Sequence, residues 1–170
     1  FENPEFPAWF EAYAKVCFEA FGDRVKLWST FNELSIIITG GYANGRFPPF
    51  RYDIKEGLKA GQLSILAHFR AVKLYKSMNL GGKIGAVNPL APATPVSISQ
   101  TDLDACARTM EYSFDWWTEP MLKGNYPQML LQTCPDIAEA MPAGYAKELA
   151  EQFERPVVQQ LVRMMYGAFG

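Results

Sequence analysis

The residues best equipped for chemistry stand together in the stretch Trp28-Ser-Thr-Phe-Asn-Glu-Leu-Ser35. A carboxyl group at Glu33 could give a proton to a leaving oxygen and later take one from water. A carboxamide stands directly before it, at Asn32. The same letters have an ordinary meaning too. Thr30-x-x-Glu33 has capping-box spacing, in which the Thr hydroxyl and the Glu carboxylate satisfy free N–H groups at a helix start. Taken alone, the cap is the commoner meaning of so short a motif. Asn88 closes a second apolar stretch and precedes Pro89, so it either meets a ligand or begins a turn.

The remaining reactive side chains are sparse. His68 is the only histidine, and Cys17, Cys106 and Cys134 have no C-x-x-C spacing, so neither a zinc site nor any other metal site is expected. No cofactor motif occurs. Three cysteines cannot all pair internally; Cys17 and Cys106 fall on apolar helix faces, where buried thiols are the expected state. His68 lies mid-helix, where packing is the expected role. Trp9, Trp116 and Trp117 could stack on a ligand, but their helical setting favours the core. Glu139, Glu148, Glu151 and Glu154 lie on a polar helical face and are expected in solvent.

The elements that must position Asn32 and Glu33 follow from periodicity. Phe10, Tyr13, Ala14, Cys17, Phe18 and Phe21 form a helical stripe over 7–21, with Pro7 in the first turn and Gly22 as the stop. Val25, Leu27, Ser29 and Phe31 predict a strand over 25–32, which puts Glu33 at its C-terminal end. Residues 39–57, rich in Gly and Pro, predict a long loop of the kind that is functional or disordered. A helix over 60–78 with Leu63, Ala67, Ala71, Leu74 and Met78 on one face leads to a short strand over 83–88. A Pro-rich loop and a helix over 101–117 follow, with Leu103, Ala107, Met110, Phe114 and Trp117 inward. The tail shows one helical stripe through Tyr145, Leu149 and Phe153, and a second after Pro156 through Val158, Leu161, Val162 and Met165, with no strand after residue 88. Alternating helix and strand predict an α/β fold with a parallel sheet, whose chemistry sits on loops after strand ends. Glu33 and Asn88 share that edge.

A chain of 170 residues with 49% apolar and 20% charged content supports one globular core. Its formal charge of −2, with scattered Lys and Arg, gives no footprint for nucleic acid or an anionic membrane. No apolar run is longer than Ile36-Ile37-Ile38, far too short to span a bilayer. The sequence opens on Phe1 without a basic segment leading into an apolar one, so any targeting segment is expected to have been removed or to lie outside it.

Ordered blocks add a resemblance. "NPEFPAWFEAYAKVCFEAFGDRVKLWSTFNE", "GGYANGRFPP", "LAHFRAVKLYK", "GKIGAVNP" and "DWWTEPMLKGNYPQML" resemble, in order, segments of glycoside hydrolase family 1, the retaining β-glucosidases and myrosinases. The resemblance implies part of a (β/α)8 TIM barrel over 1–131, with about two parallel strands, and a divergent helical tail over 132–170. It implies a β-linked glycoside as substrate, Glu33 as the general acid/base, Asn32 as a ligand of the sugar 2-hydroxyl, and no cofactor; an extracellular or lumenal setting follows from the same likeness. Asn88, by its position at a strand end, could make an aglycone-side contact or equally begin the turn before Pro89. Two departures stand out. Leu34 replaces the family's proline, removing its bias of residue 33 toward extended backbone. The family's nucleophile, the Glu of a T-E-N-G-type motif, does not occur here. The chain alone is therefore expected to lack turnover, and its uncovered strand edges to favour self-association. A second reading is a truncated, non-catalytic relative that binds or interacts.

Overall fold

The structure is a computed structural model that describes residues 1–89 and 92–153. Helix α1 (Phe6–Phe21) leads into strand β1 (Leu27–Asn32), and the short helix α2 (Leu34–Ile38) follows Glu33. A π-helical turn (Thr39–Ala43) and a loop connect to the long helix α3 (Ile54–Ser77), which leads to strand β2 (Lys83–Val87). Helix α4 (Gln100–Met110), a second π-helical turn (Glu111–Asp115) and helix α5 (Trp116–Lys123) come next. Helices α6 (Gln128–Thr133), α7 (Pro135–Glu139) and α8 (Tyr145–Phe153) complete the described chain.

β1 and β2 pair in parallel and make the only sheet among the described residues. α1 begins with Pro7 in its first turn, where the missing N–H costs nothing. It stops at Gly22, whose N–H donates to Phe18 O at 2.9 Å. A side chain at 22 would meet that carbonyl at 2.5 Å and Leu80 at 2.6 Å. α3 starts on Asp53, whose carboxylate accepts from the Glu56 N–H at 3.0 Å. It is buried along much of its surface, through Leu58, Leu63, Ile65, Leu66, Phe69, Val72 and Tyr75, because α1, the sheet and the C-terminal helices all pack on it.

Ring contacts fix the direction of packing. Phe10 stacks on Phe31 near the end of β1, with centroids 4.6 Å apart, while Phe18 meets Trp28 near its start at 4.9 Å. Tyr75, late in α3, meets Phe18 at 5.0 Å. Helices α1 and α3 therefore run against the strands. Their N-termini rise to the edge where β1 and β2 end.

Several expectations change. The predicted loop 39–57 contains the π-helical turn, and α3 begins within it at Ile54. Gly57, placed in that loop, lies inside α3, packed so closely on Tyr42 that a Cβ there would meet the Tyr42 Cβ at 2.8 Å. The predicted helix 101–117 is instead α4, a π-helical turn and α5, which runs on to Lys123 through Pro120. α4 buries none of its residues, and Leu103, expected inward, is exposed. Tyr13 and Phe21 on α1 are exposed as well. Periodicity marks a face fit for burial; it does not supply a neighbour to cover it. Cys17, Cys106 and Cys134 are free and half-buried, where full burial was expected for the first two. In the tail, Tyr145 and Leu149 are buried as the stripe predicts. Glu154, Pro156, Val158, Leu161, Val162 and Met165 lie outside the described residues.

Candidate active site

Glu33 sits where β1 ends, at the first residue before α2. Its backbone is left-handed, with φ 51° and ψ 52°. An L-residue with a long side chain rarely adopts that conformation, which costs roughly 1–2 kcal/mol. It is held from both sides. The Glu33 N–H donates to Val87 O at 2.7 Å, tying it to the end of β2, and the Glu33 carbonyl accepts from Ile36 N at 2.9 Å. Leu34, fully buried, anchors the next residue in the core. A proline at 34 would disfavour helical backbone at Glu33; with Leu34 in place the left-handed geometry is accessible.

The capping box does not form. Thr30 stays in the strand, three residues before Glu33, and Glu33 makes no side-chain cap bond to α2. A box requires the Thr itself to be the cap residue with the helix starting at once. Here the helix starts at Leu34, so the carboxyl of Glu33 is left free of that duty. It is half-buried, and Asn32 beside it is exposed.

Asn88 follows β2 and reaches the same edge, since Asn32 pairs with Val87 across the sheet. Its Nδ2 lies 3.6 Å from Met121 Sδ, and its Oδ1 is buried without a partner among the described residues. Such an acceptor is short of a donor, which a ligand hydroxyl could provide.

The other candidates fall away from this edge or into the core. Trp116 and Trp117 are buried and stacked, with centroids 4.5 Å apart, and Trp117 covers Gly61 of α3. Trp9 is 57% exposed and so is not a core residue. Glu148 is not merely solvated: both its oxygens accept from Arg70, at 2.6 and 2.8 Å. That pair lies in a shallow cleft with Glu11, Lys73 and Lys147, against the latter part of α3 and therefore away from the strand ends. Glu139 pairs with Lys55 at 3.6 Å and Glu151 with Lys147 at 4.0 Å. Among the described residues no group of three His, Cys, Asp or Glu could hold a metal ion.

His68 is fully buried in α3, as packing predicts, but its ring is not idle. Nδ1 lies 2.7 Å from Thr30 Oγ1, and Thr30 also donates to Gly85 O at 3.2 Å. Burial pulls the imidazole down to about 4, so it is neutral across the physiological range. Sequence reasoning missed this link because it had assigned Thr30 to a cap.

A family model described as Glycosyl hydrolase family 1 matches residues 1–160. The chain belongs to glycosyl hydrolase family 1. The match continues past residue 131 into the C-terminal helices. A 6-phospho-β-galactosidase of Clostridium acetobutylicum is 41% identical over 130 residues, covering 76% of this chain and 27% of that protein. β-Glucosidase 47 of Arabidopsis thaliana is 35% identical over 148 residues, covering 79% of this chain and 28% of its own length. The β-glucosidase of Thermotoga maritima, solved with deoxynojirimycin, superposes with a TM-score of 0.81 at 32% identity, over 91% of this chain and 34% of that one. This family 1 chain therefore spans about a quarter to a third of its relatives. Its two parallel strands and flanking helices are part of a (β/α)8 barrel. The edge carrying Glu33 is the face where such barrels hold their chemistry.

Proposed function

We propose that this family 1 segment supplies the proton-transfer half of a retaining β-glycosidase site. Glu33, protonated, donates to the glycosidic oxygen as the bond to the anomeric carbon breaks. A carboxylate from elsewhere in the barrel attacks that carbon. Glu33, now ionised, then takes a proton from the water that displaces the enzyme carboxylate and releases the sugar. The Asn32 amide donates to the sugar 2-hydroxyl, a contact that tightens as positive charge builds on the ring. Asn88 offers its buried Oδ1 to a hydroxyl on the aglycone side. The 170-residue chain, with an acid and no T-E-N-G-type nucleophile, does not turn over alone.

The observation that carries this reading is the placement of Glu33: at a barrel-strand end, in a left-handed conformation, with its carboxyl released from capping. The test is Glu33→Gln in the full-length protein. The loss should approach roughly 10²–10⁴-fold for a poor leaving group, which needs the proton, and be smaller for an activated aryl glycoside. Added azide should restore turnover of the activated substrate, because it attacks the glycosyl-enzyme without a general base. Equal losses for both substrates and no azide effect would overturn the assignment. Hydrolysis by the purified 170-residue chain would overturn the separate claim that it does not turn over alone, and would require a second carboxylate within it.

A further inference from the structure

The parallel pairing of β1 and β2 is interrupted just before the catalytic edge. Ser29 pairs with Gly85 and Asn32 with Val87, so three steps along β1 oppose two along β2. One extra residue is accommodated at Thr30–Phe31. Bulges in parallel sheets are uncommon; where they occur near active sites they re-aim the residues that follow. Without this one, the residues beyond Phe31 would shift by one position, and each side chain would change face. The bulge thus decides that Asn32 meets Val87 and that the Glu33 N–H reaches Val87 O.

Side chains hold it in place. The Ser29 hydroxyl donates to Phe31 O at 3.1 Å, across the extra residue. Thr30 Oγ1 touches both Gly85 O, at 3.2 Å on β2, and His68 Nδ1, at 2.7 Å on α3. A hydroxyl has one proton. If Thr30 gives it to Gly85 O, the bond to His68 requires the ring to donate from Nδ1. The chain then runs His68 Nδ1–H to Thr30 Oγ1–H to Gly85 O. This tautomer leaves Nε2, buried and without a partner among the described residues, as a bare lone pair rather than a stranded N–H. The opposite tautomer would bury an unsatisfied donor and take the Thr30 proton away from Gly85, so it is the costlier arrangement.

We propose that His68 and Thr30 are positioning residues for Glu33, pinning the β1 bulge between α3 and β2 so that the strand delivers the Glu33 carboxyl to the site. The catalytic part of this rests on the reading of Glu33 given above. The structural part does not. A three-way tie between a helix and two strands restrains position along the strand in a way that apolar contact alone does not, because hydrogen bonds are directional.

The first test uses the 170-residue chain. Thr30→Val keeps the shape and removes the hydroxyl; Thr30→Ser keeps the hydroxyl. In Thr30→Val, amide hydrogen exchange at Glu33 should rise at least tenfold, with smaller changes at α3 amides such as Ile65, and Thr30→Ser should restore protection. Unchanged exchange at Glu33, or an equal rise at both places, would overturn the proposal. Should Thr30→Val fail to fold, the ring nitrogen shifts of His68 in the unaltered chain decide: a proton on Nδ1 is expected, and one on Nε2 would overturn the chain of bonds. The second test uses the full-length protein. Thr30→Val should lower kcat for a poor leaving group more than for an activated one, and this added loss should vanish in a Glu33→Gln background. A loss of the same size in both backgrounds would mean a general structural role and refute positioning. If Glu33→Gln itself shows no leaving-group dependence, the assignment of Glu33 falls, and the exchange comparison still decides whether the pair holds the bulge.

Discussion

Two substitutions at Glu33 separate a working carboxyl from a structural one without any activity assay. Glu33 holds φ 51° and ψ 52°, and its side chain makes no cap bond to α2. Alanine keeps the backbone penalty and removes the carboxyl together with one methylene. Glu33→Ala should therefore leave stability within about 0.5 kcal/mol of the parent, as for a substitution that breaks no structural contact. Glycine removes the left-handed penalty of roughly 1–2 kcal/mol but brings about 0.5–1 kcal/mol of extra unfolded-chain entropy. Glu33→Gly should then be more stable than Glu33→Ala by about 0.75 kcal/mol, the middle of a difference that spans roughly 0–1.5 kcal/mol. Urea unfolding of dilute chain, with equal slopes for the variants, measures this as a shift in midpoint. A capping glutamate predicts instead that Glu33→Ala costs about 1 kcal/mol through a lost helix-end bond. A destabilised Glu33→Ala, or a Glu33→Gly no better than Glu33→Ala, would refute the reasoning. A position that could be made more stable by glycine and holds glutamate instead would carry strain of the kind kept at functional sites, in keeping with the role proposed for Glu33.

Three further outcomes follow from the packing. His68 is held near 4 by burial, against an ordinary value of about 6.5, so the unfolded chain binds its proton first as pH falls. The contribution is intact above about pH 6.5 and is lost between there and pH 4, at up to about 1.4 kcal/mol per pH unit; urea midpoints at pH 7 and 5 should differ by less in His68→Gln than in the parent. Gly57→Ala should destabilise, because its Cβ would strike Tyr42 Cβ at 2.8 Å; overpacking of about 1–3 kcal/mol outweighs a helix-propensity gain of at most about 1 kcal/mol, and a rise in the thermal midpoint would refute it. Among the described residues the sheet has two strands, so the outer side of each has no partner strand, and Leu27 at 74% and Val87 at 48% exposure add apolar surface there; the isolated chain should therefore self-associate, and sedimentation showing a monodisperse monomer across concentrations would count against that.

The sequence was most legible where one period acted alone. α1, β1 and β2 lie close to their expected bounds, since each carries a helical or strand-like pattern, whereas α3 ends where expected but starts at Ile54 rather than at residue 60. Glu33 and Asn88 were placed at strand ends by the same patterns, and both are there. What stayed hidden depended on contacts between distant segments. Gly57 inside α3 reads as a loop residue until Tyr42 is seen to need the space. Thr30 reads as a cap until α3 brings His68 to it across 38 positions. The bulge has no local signature, because it exists only relative to β2.

The same dependence explains why Glu33 required coordinates to interpret. The letters Thr-x-x-Glu describe a cap if the helix begins at residue 31 and an unused carboxyl if it begins at 34. That choice is made by how far β1 keeps pairing with β2. Pairing persists through Asn32 because the bulge lets the strand regain its partner after Thr30 and Phe31. Leu34, buried completely, then turns the chain inward at once. Between a strand that continues and a core that takes Leu34, residue 33 has one peptide unit in which to change direction, and the left-handed conformation is how it does so. The strain at Glu33 thus arises from the same two anchors that would fix its carboxyl at the barrel face. With its backbone fixed in this way, Glu33 has only its side-chain torsions left to order when a substrate arrives, which is the geometric condition that the proposed proton transfer would draw on.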